Sequence, residues 1–380
     1  MKIAFVPHGY PPSVGGAQNL TRGLALALAG RGHEVHVIAP AAADPEHFYT
    51  PGSPLLPPGD TGDGPVRVSW IPVGVRRLLP FGGHPADRYH RAVRNRYRRG
   101  LRRALERIRP EVVVTLPHLF PNVEEVLTLR PGADWRLVFA PHLHEEDPHW
   151  QVERVTAAVT AADAVMALTT HERDRLVAAY GADPARVGIV TPAVAAQPIP
   201  PEATPDPVVL FLGRRSASKR VEVLLEAMEL VRVHVPGARL VVAGPPGTGD
   251  PTADGTPDHV TTVDTITPAE RDTLIASARV VATASVIESF GITTLEAWAL
   301  GRPVVVADTP VARSLVRHEV DGLVAGRDPA GMAKAIVRLL TDPTEAARFG
   351  EAGRRRTLTE FTWNRSADAL LALIATTEEG

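Results

Sequence analysis

Residues 280–307 read VVATASVIESFGITTLEAWALGRPVVVA. Two short runs of β-branched and small apolar residues, 280–284 and 304–307, bracket a segment with helical spacing that opens after Gly291. Unbroken apolar runs of four or five residues suit a parallel strand covered on both faces, and the stretch between them suits one crossover helix. The segment therefore specifies a strand–helix–strand unit of a parallel sheet.

The same rhythm continues outward in both directions. Further short runs rich in apolar and β-branched residues occupy 208–212, 239–243, 260–263 and 323–325 on the carboxyl-terminal side, and 2–6, 34–39, 112–116, 136–140, 164–168 and 187–190 on the amino-terminal side. Helical patterns fill the gaps. The fold class is α/β, with two doubly wound parallel sheets, and a chain of 380 residues is long enough for two such domains. The Pro- and Ala-rich stretch 191–207, TPAVAAQPIPPEATPDP, prevents regular pairing and reads as a hinge. The expected division is one domain of residues 1–195 together with a returning helix at 361–380, a linker at 196–204, and a second domain of 205–360. At the carboxyl end Trp363, Ala367, Leu370 and Leu371 share one helical face, which motivates the returning helix.

Composition narrows the function. The chain has no cysteine, which removes disulfides, thiolate nucleophiles and cysteine metal sites. A net charge of -2 gives no general attraction to nucleic acid. No apolar run approaches the length of a membrane span, and the amino terminus runs straight into a strand without signal-peptide architecture. A cytoplasmic protein is expected.

Ligands of doubly wound sheets bind beyond the carboxyl ends of the strands, so the loops there carry the functional reading. After strand 2–6 comes PPSVGGAQ, residues 11–18, followed by a helix with Leu20, Leu24 and Leu28 on one face. Gly15 and Gly16 let backbone amides approach a phosphate at a helix start, or simply make a tight turn. After strand 208–212 comes GRRSASKR, where Gly213 precedes Arg214, Arg215, Lys219 and Arg220. Guanidinium forks and ammonium groups suit a diphosphate, and a solvated basic turn is the plain alternative. The loop 244–250, GPPGTGD, imitates the start of a Walker A sequence but continues with Asp250 and Pro251 where Lys and Ser or Thr are needed, so a nucleoside-triphosphatase is excluded.

The loop 285–297, SVIESFGITTLEA, places Glu288 ahead of a helix start and Glu296 inside the helix. Carboxylates accept sugar hydroxyls well. Thr293 and Glu296 also match a capping box, which would make Glu296 a helix-closing residue.

These motifs together resemble the retaining glycosyltransferases of family 4, which have the GT-B architecture of two Rossmann-like domains facing a cleft. The resemblance rests on the PPSVGG turn, the Arg214-x4-Lys219 pair, the Glu288-x7-Glu296 string and the ALGRPVVVAD segment at 299–308. It implies a hexosyltransferase that uses a nucleotide sugar, a UDP- or GDP-sugar, as co-substrate, with transfer by front-face attack and no cofactor or metal. Position by position, it implies that Glu288 contacts the donor sugar and that Glu296 takes the ribose hydroxyls. The amides around Ser289, Phe290, Gly291, Ile292 and Thr293 would hold sugar and diphosphate. Arg214 and Lys219 would neutralise the leaving diphosphate, Gly15, Gly16 and Gly213 would approach it, and Val263 to Thr265 would lie near the base. His142 or His144, in the cluster HLHEEDPH at 142–149, would face the sugar; the sequence does not choose between them. From its residues the cluster reads as an acceptor-binding loop, a metal site or a polar surface turn. Two departures from the family pattern stand out: Thr191-Pro192-Ala193-Val194 replaces the usual Pro-Asn-Gly-Val string, and Gln18 stands where an acidic residue is common.

Residues 76–109 hold twelve arginines against Asp87 and Glu106. Tyr89, Val93, Tyr97, Leu101, Leu105 and Ile108 mark one apolar face, so this is a helix on the first domain whose basic side meets solvent, or an anionic membrane surface or phosphate-bearing acceptor. Rival functions are a GT-B nucleotide-sugar epimerase, a silent sugar-nucleotide-binding protein, and a glycoside hydrolase using Glu288 and Glu296. The hydrolase leaves the Arg214 and Lys219 pair without a purpose.

Overall fold

Strand-forming runs and amphipathic helices alternate through the computed structural model, which describes residues 1–43, 48, 50, 54–74, 85–117, 121–147, 150–195, 197–198 and 207–378. The start of the arginine-rich segment (76–84), His149 and most of the expected linker lie outside the described residues. Contacts divide the chain into two units. One comprises Met1–Leu143, His149–Thr191 and Trp363–Gly380; the other comprises His144–Pro148 and Pro192–Thr362.

The first unit is built on β1 (Lys2–Pro7), β2 (Glu34–Pro40), β3 (Gly59–Asp63), β4 (Val66–Ile71), β5 (Val112–Leu116), β6 (Arg136–Phe139), β7 (Ala164–Ala167) and β8 (Val187–Ile189). Their order is β3-β4-β2-β1-β5-β6-β7-β8, and every pairing is parallel except that of β3 with β4. The apolar runs place β1, β2 and β5 to β8, but the β3–β4 hairpin has no such signature. Its outer strand is Gly-Asp-Thr-Gly-Asp, a poor strand former lying exposed at a sheet edge. Side chains hold it instead: Trp70 Nε1 donates to Thr61 Oγ1, Ser69 and Arg107 donate to Asp60, and Tyr10 and Arg22 donate to Asp63.

The helices of this unit that matter below are α1 (Gly16–Ala29), α2 (Pro85–Ile108), α3 (Pro121–Leu129), α4 (Val152–Ala161) and α5 (Thr170–Tyr180). In α2, Val93, Tyr97, Leu101, Ala104, Leu105 and Ile108 are buried in one cluster with Ile71 of β4 and Val113 of β5. Several of its arginines are structural. Arg94 and Arg98 pair with the fully buried Glu125 of α3, and Arg107 pairs with Asp60. Arg91, Arg99, Arg102 and Arg103 are exposed. The last helix of the chain, Trp363–Ala375, groups with this unit, where Ser366 donates to Thr191 O at 2.7 Å and Arg31 pairs with Asp368 at 2.5 Å.

The second unit carries a six-stranded, all-parallel sheet of β9 (Val208–Leu212), β10 (Arg239–Ala243), β11 (Val260–Val263), β12 (Val280–Thr283), β13 (Val304–Ala307) and β14 (Gly322–Ala325), in the order β11-β10-β9-β12-β13-β14. Val209, Phe211, Leu240, Val242, Val280, Ala282 and Val305 form its core with Leu224 and Met228 of α6 (Val221–His234). Strand order runs outward from β9 to β11 and then reverses at β12. The loops after β9 and β12 therefore leave the sheet in opposite directions and open a crevice between them, the place where doubly wound sheets take ligands.

Candidate functional site

Three loops meet at the carboxyl edge of the second sheet. The first, after β9, turns through a short 3₁₀ segment, Ala217–Lys219, and enters α6 at Arg220 with φ 50. The second, after β10, is the Gly-Pro-Pro-Gly loop, which runs directly against the first. Arg215 N donates to Pro245 O at 3.0 Å and Ala217 N to Thr248 O at 3.1 Å. The contact is closest at Gly244, where a Cβ would stand 2.1 Å from Gly213 O, so no side chain fits there. The third loop, after β12, leads into α8 (Ile292–Ala299).

Lys219 and Glu288 bridge the crevice where strand order reverses. Lys219 Nζ donates to Glu288 Oε1 at 2.6 Å, and each side chain is about a quarter exposed. Ser285 Oγ, donating to Ser218 O at 3.3 Å, ties the same two loops together. Helix α8 starts at Gly291 in the left-handed region (φ 89), with no side chain capping its first amides. The amino-terminal amides of α8 are thus presented uncapped beside Glu288, an arrangement that favours anions. The Phe290 ring is buried against Phe361 and leaves only its backbone at the loop.

The structure separates the four cations of the basic turn. Arg215 turns inward, 5% exposed, and donates to Asp250, to Gly244 O and to Asp264. It fastens the loops after β9, β10 and β11 to one another. Arg220 donates to Arg327 O. Arg214 and Lys219 remain at the loop surface, both partly exposed, the Arg214 stem lying over Gly247. Val263 ends β11, and the exposed Asp264 and Thr265 follow it.

The capping-box reading of Glu296 is corrected. The cap of α8 is Gly291, two residues before Thr293, and no side chain bonds to it. Glu296 instead accepts from Arg271 of α7 (Pro268–Ser277) at 2.8 Å and is 13% exposed. Burial raises its carboxyl above the usual range, against the pull of Arg271.

His144 belongs by its contacts to the second unit. Burial lowers its imidazole, with Glu288 acting to raise it and Lys219 to lower it. His142 is buried in the first unit, with φ 55. The residue between them is held by a group that sequence reasoning passed over. The buried Glu172 of α5 accepts from Leu143 N at 2.7 Å and from Leu168 N at 2.6 Å. Gly15 and Gly16 stand at the start of α1 in the first unit, where Gly15 is the helix cap without a side-chain bond. Gln18 is buried there and donates to Ser13. Among the described residues, no group of three His, Asp or Glu side chains is placed to hold a metal ion.

Two family models match this chain, one described as Glycosyltransferase Family 4 over residues 14–197 and one as Glycosyl transferases group 1 over residues 206–342. The D-inositol 3-phosphate glycosyltransferase of Xylanimonas cellulosilytica is 32% identical over an alignment of 397 positions, covering 93% of this chain and 89% of that one. Its counterpart in Mycobacterium avium is 34% identical over 239 positions, 56% of this chain and 55% of that one. Among solved structures, sucrose-phosphate synthase from Thermosynechococcus elongatus superposes with a TM-score of 0.77 at 20% identity, covering 100% of this chain and 99% of that one. HepE of Anabaena, solved in complex with UDP and glucose, superposes at 0.71 with 16% identity, covering 99% and 100%. At such identities the structural likeness speaks for the fold, which is the GT-B arrangement of two parallel-sheet domains.

Proposed function

This chain belongs to glycosyltransferase family 4, and we propose that it moves a hexose or N-acetylhexosamine from a nucleoside diphosphate to an acceptor hydroxyl, with retention and without a metal ion. The observation that carries the proposal is the Lys219–Glu288 pair across the crevice, beside the uncapped start of α8. In this structure these two residues satisfy each other. A bound donor exchanges both partners: its diphosphate takes Lys219 and Arg214, and its sugar hydroxyls take Glu288. The acceptor oxygen bonds to the anomeric carbon as the bond from that carbon to phosphate breaks. The nucleoside diphosphate leaves with the electron pair and takes the acceptor's proton. Fixed cations aimed at that leaving charge do the catalytic work. Of the two histidines, His144 is assigned to the sugar side, where burial favours the neutral imidazole that can both donate and accept.

Thermal stabilisation against UDP-, GDP-, ADP- and dTDP-sugars, with EDTA present, tests the donor site. One nucleotide is expected to raise the Tm by several degrees, since ligand at about 100 times its Kd adds about 2.7 kcal/mol. No shift with any nucleotide overturns the assignment, and turnover of donor without acceptor points to the epimerase. D-inositol 3-phosphate is the first acceptor to try, given the names of the relatives.

The exposed arginines of α2 also fit anionic lipid headgroups, by charge alone, because the apolar face of the helix is spent on the core. Changing Arg99, Arg102 and Arg103 to Gln is expected to weaken sedimentation with phosphatidylserine vesicles by about two orders of magnitude in low salt, at about 1 kcal/mol per charge. Unchanged sedimentation discards the contact.

A further inference from the structure

Glu296 is half of the Glu-x7-Glu string, yet its carboxylate does not stand alone. Arg271 Nη1 donates to Glu296 Oε1 at 2.8 Å, and no other hydrogen bond to this carboxylate is present among the described residues. The other edge of the same guanidinium is pinned. Arg271 Nε and Nη2 both donate to Asp272 Oδ1, at 2.9 and 2.7 Å. All three side chains are largely buried, at 27% exposed for Arg271, 25% for Asp272 and 13% for Glu296. A guanidinium is planar and rigid, so fixing one edge on Asp272 fixes the direction in which Nη1 points.

We propose that Arg271 is a positioning residue for donor binding: anchored by Asp272, it holds Glu296 in the orientation that accepts the ribose hydroxyls of the nucleotide. The proposal rests on the reading of Glu296 as the ribose contact. Two hydroxyls need two acceptor lone pairs, which a single oxygen of an ionised carboxylate offers and a carboxylic acid offers less well. Burial works against ionisation at Glu296, and Asp272 alone would work against it further. Arg271 opposes both and leaves one carboxylate oxygen for the ligand. Among the described residues, the hydrogen bonds and ion pairs of Arg271 and Asp272 include none to the loops after β9 and β12, so their effect belongs to binding rather than to bond breaking.

The test uses the full chain and four probes, UDP, 2′-deoxy-UDP, GDP and 2′-deoxy-GDP, with Arg271→Gln, Arg271→Lys and Glu296→Gln. The unaltered protein is expected to bind the ribonucleotide it prefers about tenfold better than the deoxy form, as the loss of a charge-assisted hydrogen bond implies. Arg271→Gln should raise the donor KM about tenfold, leave kcat within about threefold, and erase the preference for ribose. Arg271→Lys should restore part of it, because a point charge remains without the fork. If Glu296→Gln keeps the ribose preference, the ribose reading of Glu296 is wrong whatever Arg271 does. If Glu296→Gln erases the preference while Arg271→Gln keeps it, or if Arg271→Gln lowers kcat and spares KM, the positioning role is overturned. Thermal melting of Arg271→Lys guards against reading misfolding as lost affinity.

Discussion

Replacing Lys219 with Ala is expected to lower kcat by about 10²–10³, the usual cost of removing one preorganised group that meets developing charge. The donor KM should rise less, because in the proposed mode of binding Arg214 and the first amides of α8 still face the diphosphate. The argument turns on when Lys219 is needed. Before donor arrives it is bonded to Glu288, and that bond must be given up on binding, which offsets much of what Lys219 contributes to ground-state affinity. As the sugar–phosphate bond breaks, charge gathers on the leaving oxygen, and there the ammonium has no competitor. Its contribution is therefore concentrated in the transition state, which is the condition for acting on kcat. Glu288→Gln should behave differently, weakening the hold on the sugar while freeing Lys219. Steady-state kinetics of both variants with the donor identified by thermal shift decides the matter. A fall in kcat of less than tenfold in Lys219→Ala removes it from the transition state.

How much of this was legible in the residues depends on how local the signal is. Parallel strands buried on both faces are spelled in short, mostly apolar runs, which mark β9, β10, β12, β13 and β14, whereas β11 is Val-Thr-Thr-Val with both threonines exposed at the sheet edge. Of the β3–β4 hairpin, β4 carries a local signal in the alternation of Val66, Val68 and Trp70, but Gly59–Asp63 carries none and is a strand by virtue of partners elsewhere, Tyr10 and Arg22 at Asp63 and Arg107 at Asp60. The crevice follows from strand order, which the sequence implies only through the general behaviour of doubly wound sheets.

Side-chain roles are less local still, and the chain supplies its own comparison. Three Thr-x-x-Glu strings precede or open helices. At Thr267 and Glu270 the string is a true capping box, with both reciprocal bonds made. At Thr169 the hydroxyl caps Glu172 N, but the carboxylate leaves to hold Leu143 and Leu168. At Thr293 neither half is made, and Glu296 turns to Arg271. The same four-residue pattern thus has three outcomes, chosen by what the fold brings near the carboxylate. The sequence marks the residue and leaves its partner open. The basic turn teaches the same lesson, since four cations in seven positions look alike until one of them, Arg215, is found buried.

That buried cation carries the largest expected effect on stability. Arg215→Ala should lower the Tm by about 6–20 °C, from about 3–5 kcal/mol for breaking a buried ion pair and about 2–4 °C per kcal/mol in a domain of this size. The loss is large because of what is left behind. Asp250, 6% exposed, keeps its bonds to Thr252 but loses its counter-charge, and the carbonyl of Gly244 loses its donor. Asp264 is 64% exposed and rehydrates, so its bond contributes little to the penalty. The pH dependence distinguishes this account from a general loosening. Burial would raise the Asp250 carboxyl, but hydrogen bonds from Arg215 and Thr252 hold it below its ordinary value. A depressed folded pKa means stability that is present above the unfolded value of about 3.9 and lost as the pH falls below it. In Arg215→Ala the unpaired carboxyl protonates at higher pH and sheds its penalty there. The gap in Tm between the two proteins should therefore narrow as the pH falls from 7 toward 4. A gap that is constant over that range would assign the loss to packing instead of charge. Because Arg215 also joins the loops after β9, β10 and β11, nucleotide binding should weaken in the variant even at temperatures where it remains folded.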